Sequence, residues 1–145
     1  MGSECLICEK HRGAGRLVGP VIYIDDLVVV THRPLTEGVP RPGYLFVETL
    51  RHAPTLADLT DSEAAAVGWA LRRAAQALRT ELSPAHIFSA ITGRTVPHFH
   101  QHLFTRPPNT PDSIHWFNGD TWPQAPRITQ PALESLCTRL ATHFT

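Results

Sequence analysis

Lysine is almost missing from this 145-residue chain: Lys10 stands alone against twelve arginines. Basic and acidic residues balance at 13 each, the formal net charge is zero, and no predicted element carries a basic stripe. That argues against a dedicated nucleic-acid binder, which clusters Lys and Arg on one face. Long apolar runs are also missing. None nears the ~20 residues of a membrane span, so no membrane association is expected. Gly2 to Glu4 is polar and no apolar stretch follows, so no secretory leader is expected and the chain reads as cytoplasmic. There the three cysteines stay reduced and suit a metal better than a disulfide. Internal repeats and low-complexity stretches are absent. The apolar fraction, 42%, is slightly below the globular average. The length suffices for one domain, residues 1–145, with a real core.

Histidine is what the chain has in plenty, nine in all, and three of them fall within five residues: His98-Phe99-His100-Gln101-His102. The flanks are strand-like. Successive strand side chains alternate between faces, so the pattern places His98, His100 and His102 in one row, with Phe99, Gln101 and Leu103 opposite. Such a row suits two chemistries: imidazole attacks phosphorus as a nucleophile near neutral pH, and it binds zinc. The second cluster is Cys5-Leu6-Ile7-Cys8. A C-x-x-C clasps zinc through two thiolates, or forms a redox pair, or stays unliganded. The redox reading wants a strand before the pair, and Met1 to Glu4 is too short for one. A structural zinc needs four ligands. Cys137 sits in an apolar helical pattern and reads as an ordinary buried thiol, which leaves histidines to complete the set.

The remaining pattern predicts an α+β domain with an antiparallel sheet of about five strands, a long central helix and a C-terminal helix. Residues 9–20 read as a Gly-rich loop. Val21 to Ile24 and Leu27 to Thr31 form a hairpin around Asp25-Asp26. His32 to Gly43 is loop and Tyr44 to Glu48 the third strand. Thr60 to Leu82 is the strongest helix, opened by a Thr60/Glu63 capping box. Val67, Leu71, Leu78 and Leu82 lie near one face, and Arg72, Arg73 and Arg79 point to solvent. Strands over 86–91 and 98–104 follow. Six prolines with Trp116 and Trp122 make 105–131 a long ordered loop, in which the tryptophans pack, lid a pocket or fill a dimer interface. Pro131 opens the last helix, with Leu133, Leu136, Leu140 and Phe144 on one side. His32 reads as a solvated loop histidine, and His11, His86, His115 and His143 have no identifiable partner.

Gly93-Arg94-Thr95-Val96-Pro97-His98-Phe99-His100-Gln101-His102-Leu103-Phe104 resembles the motif of the histidine-triad family, in which histidines alternate with apolar residues after Gly-Gln-Ser/Thr-Val. Pro42-Gly43-Tyr44-Leu45-Phe46-Val47, Arg51-His52 and Leu59-Thr60-Asp61-Ser62-Glu63 are similar to runs in bacterial members, as is the N-terminal C-x-x-C. The resemblance covers roughly residues 4–106. It implies the family's fold, a homodimer, and a small-molecule nucleotide substrate. It implies hydrolysis or transfer at the α-phosphorus through a nucleotidyl-histidine on His100, with His102 bonded to phosphate oxygens. By position it also implies a structural zinc held by Cys5, Cys8, His52 and His98, as in zinc-bearing members. Arg94 replaces the usual Gln. With Thr95, Val96 and His102, it is expected to bind the phosphate. Thr31, followed by His32, stands where an acid usually holds the ribose. Ser89-Ala90-Ile91-Thr92 lacks the usual Asn, and Gln101 is polar at an apolar position, facing away from the site. Two other readings remain: a non-catalytic nucleotide-binding module on the same fold, and a zinc-dependent hydrolase with metal on the triad. The latter wants an acidic base nearby, and no carboxylate lies between Leu82 and Asp112.

Overall fold

The computed structural model describes residues 5–145, so the reading of residues 1–4 lies outside it. Five strands form one antiparallel sheet in the order β1-β2-β3-β5-β4. They are β1 (Val21–Ile24), β2 (Val28–His32), β3 (Tyr44–Thr49), β4 (His86–Ala90) and β5 (His100–Arg106). Three α-helices accompany them: α1 (Leu6–His11), α2 (Asp61–Leu82) and α3 (Gln130–Ala141). Short 3-10 turns cover Leu56–Asp58, Trp116–Asn118 and Thr142–Phe144.

Local chemistry explains the elements. The Asp25 carboxylate accepts the backbone N–H groups of Leu27 and Val28, both at 2.8 Å, which closes the β1–β2 turn. Thr60 and Glu63 form the expected capping box of α2. Thr129 caps α3, with a proline in its first turn. Side chains alternate along the sheet. Val28, Val30, Leu45, Val47, Phe99 and Leu103 pack against Val67, Ala70, Ala74 and Leu78 of α2 and Leu133, Leu136 and Leu140 of α3. Cys137 is buried beside them, and burial pushes its thiol up to about 12. The other sheet face presents Tyr44, Phe46 and Glu48 next to His100, His102 and Phe104, paired across β3 and β5.

Four expectations need correction. The stretch 9–20 is not all loop, because α1 runs through His11. Its N-cap is Cys5, whose sulfur accepts the Cys8 N–H at 3.3 Å, a role that thiols seldom fill. The fifth strand begins two residues later than expected. Phe99 N–H donates to Ala53 O at 2.7 Å and His98 N–H turns back to Val96 O at 2.9 Å, so His98 sits in the approach to the strand and not in it. Arg73 does not simply enter solvent: its guanidinium lies 5.5 Å from the Trp69 ring centre. His32 is fully buried, not solvated. Its Nδ1–H donates to Arg33 O at 2.7 Å and its Nε2 accepts the Gly43 N–H at 2.9 Å. Burial keeps this imidazole neutral, with its pKa lowered to about 4. Gly43 is required there: its φ is +83°, and a Cβ would meet Leu82 and Thr105 side-chain atoms at 2.8 Å.

Candidate functional site

The three motif histidines take three different environments. His100 donates its Nδ1–H to the His98 carbonyl at 2.7 Å. A carbonyl only accepts, so this contact fixes the tautomer and leaves Nε2 as the lone-pair nitrogen. His100 lines a cleft of about 430 Å³ over the open sheet face. Phe46 and Tyr44 line that cleft from β3, Leu6, Ile7 and Lys10 from α1, and Thr95 and Val96 from the loop before the triad. His102, next on the same strand face, does not line that cleft, and its Nδ1 lies 2.7 Å from the Tyr44 hydroxyl. Its Nε2 is buried and has no partner among the described residues. Desolvation, then the neighbouring His100 and Arg33, lower the His102 pKa to about 4 and keep it neutral.

His98 turns the other way. Its Nε2–H donates to Thr49 O at 2.7 Å, so Nδ1 carries the lone pair. That nitrogen lies 3.5 Å from both Cys5 Sγ and Cys8 Sγ, and His52 Nδ1 lies 3.3 Å from Cys8 Sγ. The four ligand atoms all fall within 4.8 Å of one another. Tetrahedral zinc with the usual Zn–S and Zn–N bonds separates its ligands by about 3.4–3.8 Å, so the residues fit the ion. Burial and the adjacent Cys5 raise the Cys8 pKa. Two neighbouring thiolates disfavour each other unless a cation lies between them. Val96 and Ile7 pack against this cluster.

Three functional-looking residues escaped the sequence reading. Glu48 is 1% exposed on the site face, pairs in register with His100, and accepts from Lys10 Nζ and His11 Nε2, each at 2.9 Å. Burial alone raises a carboxyl, but hydrogen bonds from His11 and Lys10 outweigh it and hold Glu48 below its ordinary range. The signal was present: a glutamate on the same strand face as Tyr44 and Phe46, and the chain's lone lysine. His11 thus has a partner after all. So does His143, on Glu81 at 3.0 Å, while His115 accepts the Phe117 N–H and His86 packs on Phe88.

Thr95, Val96 and His100 come together at the cleft, whereas Arg94 is exposed, does not line it, and makes no side-chain hydrogen bond among the described residues. Gln101 bonds Ser89 on the helix side, away from the site. Thr31 is buried, and its hydroxyl lacks a partner among the described residues. The loop after β5 lays Trp116 and Phe117 on Phe104, and Trp122 is buried with its indole N–H on Gly119 O.

No family model matches the chain, and no curated protein matches it. Solved structures do. A HIT-like protein involved in cell-cycle regulation from Bartonella henselae, solved with an unknown ligand, matches with a TM-score of 0.70 at 17% identity, over 98% of this chain and 97% of that one. A Zn-bound histidine triad family protein from Mycobacterium smegmatis gives 0.66 at 22% identity, over 99% and 94%. A HIT family protein from Bacillus anthracis gives 0.65 at 19% identity, over the whole of both chains. This chain has the histidine-triad fold. Among the described residues no helix is long and apolar enough to cross a membrane.

Proposed function

We propose that this protein is a nucleotide hydrolase or nucleotidyl transferase acting at the α-phosphorus of a nucleoside phosphate derivative. The observation that supports it most is the His100 tautomer: Nδ1–H held by His98 O at 2.7 Å, on a histidine lining a cleft of about 430 Å³. In this reading Nε2 of His100 attacks phosphorus, a P–N bond forms, and the leaving group departs with the electron pair of its bond to phosphorus. Water then attacks the nucleotidyl-histidine and returns His100 to its starting state. The Thr95 hydroxyl and the Val96 backbone, which line the cleft beside His100, and His102 Nε2, buried without a partner among the described residues, are the donors assigned to the phosphate oxygens, where charge spreads in the transition state. Arg94 would join them only by turning in from its exposed position. Cys5, Cys8, His52 and His98 would hold a structural zinc, and the metal would fix the segment whose carbonyl orients the nucleophile. The protein works as a homodimer in the cytoplasm.

The geometry gives little support to a catalytic metal on the triad. Each ring nitrogen facing His98 O, Thr49 O or Tyr44 is committed, and only His98 joins the ligand cluster. Replacing His100 separates the enzyme from a binding module. With His100→Ala, mononucleotide release from nucleoside phosphoramidates and dinucleoside polyphosphates is expected to fall by at least ~10⁴-fold, as for loss of a covalent nucleophile. Metal content and the folded far-ultraviolet spectrum are expected to persist. Rapid quenching with labelled nucleotide is expected to trap an acid-labile, base-stable adduct in the wild type alone. Full turnover by His100→Ala would remove the mechanism, and absence of turnover by the wild type on every substrate would leave the binding module.

A further inference from the structure

Three cations line the cleft: Lys10, Arg16 and Arg33. Two are closed pairs, Lys10 with Glu48 at 2.9 Å and Arg16 with Glu37 at 2.8 Å. Arg33 is different. Its nearest carboxylate, Asp120, is 3.5 Å away, longer than a good charge-assisted hydrogen bond. The same carboxylate oxygen also serves Arg41, at 3.7 Å. Arg41 is itself 3% exposed, and its Nη1 has no hydrogen-bond partner among the described residues. One negative charge thus answers two guanidinium groups, and about one positive charge is left over in a partly dehydrated place. At reduced dielectric such an excess attracts an anion far more strongly than in water.

Arg33 is also held in place. Its guanidinium stacks 4.4 Å from the Tyr44 ring centre, and Nη2 donates to Val39 O at 2.9 Å. Tyr44 in turn reaches His102 through its hydroxyl. A guanidinium fixed in one plane keeps its other N–H groups aligned as a fork, which suits phosphate oxygens. Thr95 and Val96, beside His100 in the cleft, are the donors assigned to the attacked phosphate. We infer that Arg33 holds a second anionic group of the substrate, so that the cleft takes a nucleoside phosphate bearing a further phosphate besides the one His100 attacks. This rests on the proposed role of His100. The second phosphate sits either on the ribose or further along the 5′ chain.

Titration calorimetry on the wild-type protein distinguishes these sources. The ligands are the nucleoside 5′-monophosphate, its 3′,5′-bisphosphate, and the uncleavable α,β-methylene 5′-diphosphate, each with adenine and with guanine. One of the two doubly phosphorylated ligands is expected to bind at least tenfold tighter than the monophosphate. A gain for the bisphosphate places the anion on the ribose, and a gain for the methylene compound places it on the chain. Arg33→Gln is expected to remove that gain, and Arg33→Lys to restore part of it. Equal affinity for all three ligands in the wild type overturns the inference, as does a gain that survives Arg33→Gln. It also fails if Arg33→Gln weakens the three ligands equally, because Arg33 then grips the attacked phosphate or merely shapes the loop. If no mononucleotide binds the wild type at all, the functional reading itself fails and takes this inference with it.

Discussion

His32 shows how one residue type takes opposite roles in one chain. Its position after a strand, beside Arg33 and Pro34, looks like exposed loop, yet it is wholly buried and pins residues 32–43 through Gly43. Sequence gives no sign of this, because the contact joins residues eleven apart across an irregular segment. Desolvation lowers its pKa to about 4, against backbone bonding to Arg33 that favours the charged form. The sign follows directly. A folded-state value below the ordinary 6.5 means that the unfolded chain binds the proton more readily. The stabilising contribution is therefore complete above pH 6.5 and is lost as pH falls toward 4, by about 3 kcal/mol in all. Denaturant midpoints are expected to drop over that window. His32→Asn, whose amide oxygen can accept the Gly43 N–H without titrating, is expected to flatten the drop. An unchanged pH profile in that variant would assign the acid lability to other groups. The triad residues were more legible. The alternation of His100 and His102 with Phe99, Gln101 and Leu103 holds, because a strand enforces it. His98 departs only because the strand starts after it.

At the scale of elements, the sheet strands and the two long helices were readable from periodicity and capping, whereas α1 was not. Six residues carry too little periodicity to announce a helix, and an isolated helix of that length is unstable in water. What holds α1 is its local thiol cap together with two tertiary contacts, the Lys10–Glu48 pair and the Cys/His cluster. Because Leu6, Ile7 and Lys10 are also cleft residues, the Cys/His cluster and the cleft share one short element. Metal analysis of protein purified without chelator is expected to give one zinc per chain. Extraction is expected to lower thermal stability and raise α1 amide exchange, since structural zinc contributes folding energy directly. Cys8→Ser and His52→Ala are expected to reproduce both effects. Zinc-free protein with undiminished stability would show that the four side chains cluster without a metal role. Glu48 and Lys10 each stood out singly in the sequence, but their pairing did not, because they meet only after α1 folds over β3.

Among the described residues the sheet has two edges, β1 and β4. Unpaired strand edges invite pairing with another chain unless something covers them. At the β4 end, Phe88 packs against both Phe104 and Trp116, and both Trp116 and Ile91 remain about 40% exposed. The β1 edge exposes Val21 and Ile24 more fully, at 58% and 59%, but these lie far from the triad strand. The β4 edge is continuous with β5 and with the aromatic group around His102 and Phe117. A two-fold contact there would place two clefts on one extended surface and dehydrate the surroundings of both histidine sites. Closed two-fold pairs are also the commonest assembly of a single chain. Light scattering at micromolar concentration is therefore expected to give twice the 16.1 kDa mass of the chain. Trp116→Arg, which puts a charge on the exposed ring position while sparing the strand ladder, is expected to shift that mass toward the monomer. A wild-type monomer would remove the homodimer from the proposal. A dimer indifferent to Trp116→Arg would move its interface away from β4, toward the long helix, where half-exposed Trp69 is the next large apolar group.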